Sequence, residues 1–307
     1  MNYRLGAAAF LSHPALKESG NLALDDQREA LRWVRRNISS FGGDPGNVTL
    51  MGQSGGGFAV CGHLASPASA GLFQRAILQS APFSGTPTLP LPVDEALRTG
   101  RFNRVPVLLG VNHDEENGMI LGLELATGKP MPVKDYRPAV EQAYGKRAAA
   151  VLKRYPLGES AGATLARVKT DATWSAPSLD TARTLSRWTS TRMFEFADRQ
   201  TPWYAGYPKP SFPAAAQHMA ELPYLFGLAL FDRLTTRQAE LGDRMIGAWT
   251  RFAATGDPNG GGEAAWPVLR DDRGEDAWHV QSLTGGAWKR ADYVRDHGYR
   301  FWSALRK

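Results

Sequence analysis

Ser54 lies in Gly52-Gln53-Ser54-Gly55-Gly56, directly after the strand-like run Asn47-Val48-Thr49-Leu50-Met51. A serine set where a strand turns sharply into a helix has its hydroxyl lifted clear of the chain, as an acyl-transfer nucleophile requires. Positive φ at such a serine is tolerable only if the residues two before and two after lack bulk, and Gly52 and Gly56 meet that need. The chain holds 32 glycines and a second copy of the pattern, Gly158-Glu159-Ser160-Ala161-Gly162. Before Ser160, however, the alanine-rich, charged stretch from Lys146 to Leu157 reads as a helix ended by Pro156 and Gly158. No strand leads into Ser160, so Ser160 or Glu159 is read as the cap of a helix over Thr164 to Lys169. Ser54 is the expected nucleophile.

A serine nucleophile needs a base to take its proton and an acid to hold that base in the right tautomer, and in sheets of this type they follow in the order Ser, acid, His. Acidic candidates cluster in Gly110-Val111-Asn112-His113-Asp114-Glu115-Glu116, after a strong apolar strand, where open α/β sheets place their sites. Of the six histidines, His13 and His63 lie too early or too near the Ser54 helix. His113 is inside the acidic loop, and His279 and His297 come late, in a strand-like run and at the approach to a terminal helix. His218 follows a long loop and precedes Glu221-Leu222-Pro223-Tyr224. Position alone leaves the base open.

The elements that must carry these residues alternate. Asp25-Asp26-Gln27-Arg28-Glu29 opens an amphipathic helix whose apolar residues Ala30, Leu31, Val34, Ile38 and Phe41 recur at three- and four-residue intervals, stopped by Gly42-Gly43. Asp44 to Asn47 turns into the strand bearing Ser54, and Gly57 to Leu64 continues as a helix. Further strands are expected at Arg75 to Gln79, Val105 to Gly110 and Arg192 to Phe196. Such alternation implies a mainly parallel sheet covered by helices. Pro82 to Val93 reads as a surface loop, Asp135 to Ser186 as mostly helical, and Leu241 to Ala254 as an amphipathic helix closed by Gly256-Asp257-Pro258-Asn259.

At 307 residues the chain can bury a substantial core, and residues 1–307 read as one α/β domain. Hydrophobic content of 43% with 21% charged residues is ordinary for a soluble protein, and no stretch approaches the roughly 20 apolar residues that span a bilayer. Leu5 to Leu11 lacks the basic region of a signal peptide and reads as interior sequence. The net charge of +6 is interspersed, so neither nucleic acid nor membrane is expected as a partner. Cys61 is the only cysteine, which excludes an intrachain disulfide. Without clustered His and Cys there is no zinc signature. Cytoplasmic and secreted locations both fit, any signal peptide lying upstream of Met1.

Taken together, Asn2 to Gly6, the Asp25 to Val34 helix, Phe41-Gly42-Gly43-Asp44-Pro45 with Val48-Thr49, and Ala76-Ile77-Leu78-Gln79-Ser80 resemble type-B carboxylesterases. That is the family of bacterial para-nitrobenzyl esterases and cholinesterases. The resemblance continues through Gly110 to Glu115, His218 with Glu221 to Tyr224, Gly256 to Asn259, Trp266-Pro267 and Phe301-Trp302, and so covers nearly the whole chain. It implies an α/β-hydrolase fold with helices on both faces of the sheet. It makes Ser54 the nucleophile, Glu115 the acid, His218 the base and the Gly55 N–H an oxyanion donor. Glu115 is preferred to Asp114 because the family pattern is Asp-Glu-Gly with a catalytic glutamate; this chain departs from it with Glu116 in the glycine's place.

The resemblance also implies a small-molecule carboxylic ester as substrate and no metal or organic cofactor. The family's His-Gly-Gly-Gly-type loop, which supplies the other oxyanion donors, has no counterpart in this sequence. The stretch from Ser54 to Glu115 is about half the length the family leads one to expect. The strand beside the one entering Ser54 belongs to the family's amino-terminal part, so the domain reads as amino-terminally incomplete, with an open sheet edge that invites pairing with another chain, a homo-oligomer included. The expected function is ester hydrolysis through an acyl-enzyme. The alternative is a weak or inactive remnant or a binding protein, with peptidase or thioesterase chemistry as a third reading.

Overall fold

Six strands pair in the order in which the chain makes them: β1 (Thr49–Gln53), β2 (Arg75–Gln79), β3 (Val107–Asn112), β4 (Thr191–Phe196), β5 (Val280–Leu283) and β6 (Lys289–Arg290). This computed structural model describes residues 1–10, 21–81 and 92–306. Pairing is parallel from β1 through β5, and β6 closes the far edge antiparallel, with Gln281 opposite Arg290. The helices that matter for the site are α1 (Leu22–Asn37), α2 (Gly55–Ala65), α3 (Asn117–Thr127), α4 (Ala161–Lys169), α5 (Ala176–Ser186) and α6 (Thr236–Thr255).

The strands are apolar on both faces because helices cover both. Successive side chains point to opposite sides. Ala76, Leu78, Val107, Leu109, Val111 and Met193 therefore join one apolar cluster with Leu31 of α1, Val60, Cys61 and Leu64 of α2 and Leu179, Ala182 and Leu185 of α5. Ile77, Leu108, Phe194 and Phe196 join the other, with Leu241, Met245, Ala248, Trp249 and Phe252 of α6. Those α6 positions repeat every three or four residues, one stripe of a helix. Leu78, Leu108 and Leu109 are fully buried, each stabilising the fold by roughly 1.5–3 kcal/mol relative to exposure.

Element ends follow local chemistry. α6 opens with a capping box in which Gln238 N–H donates to Thr235 Oγ1 at 3.4 Å and Thr235 N–H donates to Gln238 Oε1 at 2.8 Å. It ends on Gly256 at φ +80°, the left-handed conformation glycine adopts most readily. The first amphipathic helix starts at Leu22, earlier than its acidic run suggests, and its last turn tightens into a 3-10 helix over Ile38–Phe41 before Gly42 at φ +79°. β3 begins at Val107, since Pro106 has no N–H for the ladder. The Asp135 to Ser186 region is helical as read, with one irregularity that no periodicity announces, a π-helical turn over Thr170–Ser175 between α4 and α5. β6 is too short to leave a pattern. Of the loop expected over Pro82 to Val93, residues 82–91 lie outside the described residues, and Val93 already opens a short helix, Val93–Arg98.

Among the described residues β1 pairs only with β2, and all five of its residues are half-buried. The strand that delivers Ser54 is thus the sheet's edge. No helix among the described residues is long and apolar enough to cross a membrane.

Candidate active site

Three consecutive strands end side by side, and their carboxyl ends carry the site. β1 runs into Ser54, which stands at φ 52°, ψ −120° as the residue before α2. Its N–H donates to Gln79 O at 2.9 Å, while Ser80 N–H donates across to Gly110 O at 2.8 Å. The space demanded of the elbow's glycines is specific. A Cβ on Gly52 would stand 2.2 Å from Gly56 C and O, and one on Gly57 would stand 2.5 Å from Ala81 Cβ. A Cβ on Gly56 would meet nothing within 4 Å. The expectation that Gly52 and Gly56 are both needed for their smallness is corrected to Gly52 and Gly57: Gly52 packs against the Gly56 backbone, and Gly57 packs against Ala81, just past the end of β2. Gly55 is the first residue of α2, where a backbone N–H has no intrahelical acceptor.

Glu115 is buried and accepts three hydrogen bonds: from Ser80 Oγ (2.6 Å) and Asn112 N (2.8 Å) at Oε1, and from His218 Nδ1 (2.7 Å) at Oε2. The loop carrying His218 is laced to the β3 turn. His218 N–H donates to Glu115 O at 3.0 Å, Asp114 N–H to Ala216 O at 3.0 Å, and Asn112 Nδ2 to Gln217 O at 2.6 Å. A bond at Nδ1 to a carboxylate fixes the imidazole tautomer with its proton on Nδ1, leaving Nε2 as the acceptor. Nε2 lies 3.3 Å from Gln53 Nε2, the residue before Ser54. Glu115 and His218 are therefore joined directly. His218 reaches the elbow at Gln53, and among the described residues no hydrogen bond links its ring to the Ser54 hydroxyl.

The remaining acids have other partners. Asp114 is held by Arg199 at 3.0 and 3.1 Å and accepts from Ala216 N at 3.3 Å. Glu116 accepts from Trp174 Nε1 at 2.8 Å and pairs with Lys169 at 2.9 Å. Ser160 sits at φ −122°, ψ 126° and its Oγ accepts from Ala163 N, the helix cap expected of it, although α4 starts three residues earlier than read.

The other histidines are likewise committed. His63 is buried between Ser69 Oγ (2.9 Å) and Gln27 Oε1 (3.0 Å), and burial drives its pKa down to about 4. His279 contacts Gln281 at 2.8 Å, and His13 lies outside the described residues. His297 has Asp171 at 2.6 Å on Nδ1 and Glu195 at 2.5 Å on Nε2. The His297 ring also lies against His113, with centroids 5.0 Å apart and planes tilted by 56°. Folding thus gathers His113, Glu195 and His297, whose ligand-capable atoms lie within 4.8 Å of one another, a grouping invisible in sequence spacing.

Ser80, Asn112, Gln53, Gln79 and Glu221 complete the site beyond the three expected residues. Glu221, fully buried, accepts from Gln79 Nε2 (2.9 Å) and Asn112 Nδ2 (2.6 Å). Burial pushes it up to about 7, the Glu115 charge adding to the rise against the Asn112 hydrogen bond. Burial works against charge on His218, but the Glu115 hydrogen bond and the nearby Glu115, Glu221 and Glu116 carboxylates outweigh it and raise its pKa. Among the described residues four non-glycines have positive φ: Ser54 (52°), Ser80 (49°), Ala215 (50°) and Met219 (72°). Ser54 and Ser80 belong to this site, and Ala215 and Met219 flank His218 on its loop. Ser80 and Gln79 fall inside the Ala76 to Ser80 run, so the available signal was their place just past a strand's carboxyl end.

The model of the carboxylesterase family matches residues 1–90 and 81–302. The chain belongs to that family. It is a carboxylic ester hydrolase by descent, with the α/β-hydrolase fold. It is 28% identical to the para-nitrobenzyl esterase of Bacillus subtilis, over 90% of this chain and 67% of that protein. It is also 28% identical to the cocaine esterase of Oryctolagus cuniculus, over 94% and 67%, and to the fumonisin B1 esterase of Sphingopyxis macrogoltabida, over 89% and 62%. Among solved structures, a thermophilic PNB esterase superposes on 98% of this chain and 72% of its own, with 25% identity and a TM-score of 0.76. The chain thus spans about two thirds of the curated relatives it matches. The alignment to the Bacillus enzyme runs over 357 positions, more than the 307 residues present, so that relative carries internal segments which this carboxylesterase lacks.

Proposed function

We propose that this carboxylesterase cleaves carboxylic esters through an acyl-enzyme on Ser54, with His218 as base and Glu115 as the acid that orients it. The observation that carries this reading is the buried Glu115–His218 pair, 2.7 Å apart, beside a serine in strained backbone. As Ser54 Oγ bonds to the ester carbonyl carbon, its proton passes to His218 Nε2; the imidazolium then gives that proton to the departing alkoxide. Ser80 Oγ–H and Asn112 N–H hold the Glu115 Oε1 so that Oε2 faces Nδ1. Water, deprotonated by the same nitrogen, releases the acid. On this reading Gly55, the residue after the nucleophile, donates its N–H to the developing oxyanion. The relatives' names share ester hydrolysis and differ in acyl and alcohol parts, so the proposal extends to carboxylic esters as a class.

The test is hydrolysis of short-chain p-nitrophenyl esters by the purified chain and by Ser54→Ala, together with fluorophosphonate labelling and peptide mapping. Activity lost in Ser54→Ala and label on Ser54 are expected. Label on Ser160, or activity untouched by the substitution, overturns the assignment. A folded chain that hydrolyses no such ester favours a binding protein or remnant instead.

A further inference from the structure

Glu116 replaces the glycine that the family pattern places after the catalytic glutamate, and the structure uses the added carboxylate at the site's wall. Its Oε1 accepts the Trp174 indole N–H at 2.8 Å, its Oε2 meets Lys169 Nζ at 2.9 Å, and its own N–H donates to Thr170 Oγ1 at 2.9 Å. Trp174 belongs to the π-helical turn Thr170–Ser175, a type of distortion that often marks functional sites. The widened turn sets the indole against the His218 ring, with centroids 4.8 Å apart and planes at 45°.

We propose that Glu116, acting through Trp174, is a positioning residue for the His218 imidazole: it locks the indole as one wall against the ring and makes that wall favour the imidazolium form. Three physical effects support this. Glu115 holds Nδ1 and Gln53 lies 3.3 Å from Nε2, which leaves tilting about the line through the two nitrogens to be limited by face contacts, and Trp174 supplies one. An indole whose N–H is bonded to a carboxylate is more electron-rich, and an aromatic ring within about 6 Å attracts a cation. The Glu116 charge also acts directly on the ring, in the same direction. The charged and titratable groups facing His218 are Glu115 and Glu116 from the β3 turn and Glu221 from its own loop, with neutral Gln53 from β1 and Trp174 from the π turn; Lys169 offsets Glu116 from outside.

The inference rests on His218 being the base, and its test reads the imidazole itself, independently of turnover. The His218 ring nitrogens are titrated by long-range 1H–15N NMR in the wild type, Glu116→Gln, Glu116→Gly and Trp174→Phe. In Glu116→Gly the His218 titration is expected to move down by about half a pH unit or more and its Nδ1–H resonance to broaden as the ring gains freedom. Glu116→Gln, which keeps an acceptor for the indole, is expected to restore the sharp resonance while the titration stays lowered. Trp174→Phe is expected to broaden the resonance with Glu116 intact. In p-nitrophenyl ester hydrolysis, kcat falls in Glu116→Gly with KM nearly unchanged, and the acid limb of the pH profile moves with the NMR titration.

A His218 titration and line width identical to wild type in both Glu116→Gly and Trp174→Phe overturn the proposal, and so does an equal fall in melting temperature for Gly and Gln with no change at the ring. A chain that turns over no ester, yet shows the NMR changes, keeps this inference and removes the proposed function.

Discussion

Glu115→Gln isolates the contribution of the acid with little change in shape. The glutamine oxygen can still accept from Ser80 Oγ and Asn112 N–H, which now hold Oε1 at 2.6 and 2.8 Å, so the β3 turn keeps its anchors. The amide NH2 then faces His218 Nδ1, and two donors cannot share that bond. The ring is driven to the tautomer with its proton on Nε2, where it cannot accept the Ser54 proton, and the imidazolium formed during attack loses its counter-charge. At an effective dielectric of about 20, one unit charge about 4 Å from another is worth about 4 kcal/mol. Loss of the correct tautomer in a comparable triad costs about 10⁴ in kcat. The expected fall is about 10³–10⁴, equivalent to about 4–5.5 kcal/mol of barrier. The assay is p-nitrophenol release under saturating ester, with circular dichroism melting as the control for folding. A variant with more than a tenth of wild-type kcat and an unchanged melt would refute the reasoning, and a collapse in Glu116→Gln alone would move the acid's role to the neighbouring residue.

Gly52→Ala places a Cβ 2.2 Å from the Gly56 backbone, which cannot yield as a side chain would. Strand and helix must part, and a displacement of about 1 Å at the nucleophile costs about 10² in rate, read as slowed fluorophosphonate labelling. Gly56→Ala, with open space for its Cβ, should label within a few-fold of wild type, and equal damage from the two would be evidence against the elbow geometry. His297, buried between Asp171 and Glu195, has its pKa raised to about 10; burial opposes the charge and the two carboxylates outweigh it. A pKa raised from its unfolded value near 6.5 gives stability that is full below about pH 6.5 and is shed as pH rises toward about 10. Thermal melts should therefore fall over that window in the wild type, and the difference from His297→Gln should shrink with pH; a difference constant from pH 6.5 to 10 would count against a charged imidazole.

The residues proposed to do the chemistry were legible where function forces a local pattern. Ser54 needed a strand, a turn and a glycine that the strand–helix contact demands, and all are adjacent in the chain. Glu115 was legible as one of three acids just past an apolar strand, and its choice over Asp114 and Glu116, like that of His218 103 residues away, came only through the order of motifs resembling a family. What holds them was not legible. Ser80, Asn112 and Glu221 matter because neighbouring strands end level with one another, a property of register and of pairing across the sheet. The π turn that aims Trp174 breaks the helical period by one residue, which an alanine- and threonine-rich stretch does not advertise. Spacing alone points to Gly56, whereas its backbone is what crowds Gly52 and the side-chain position without room belongs to Gly57.

The four left-handed non-glycine residues, Ser54, Ser80, Ala215 and Met219, make a trade visible. Each holds a conformation that costs roughly 1–3 kcal/mol, and each lies on a segment that carries or holds Ser54, Glu115 or His218. Selection for heat resistance would find its easiest gain at 219, where a glycine relaxes the backbone at once, whereas a glycine at 80 would also strip Glu115 of a buried hydrogen bond. Such a gain would come with a blunter catalyst, so durability and speed in this molecule draw on the same few dihedral angles.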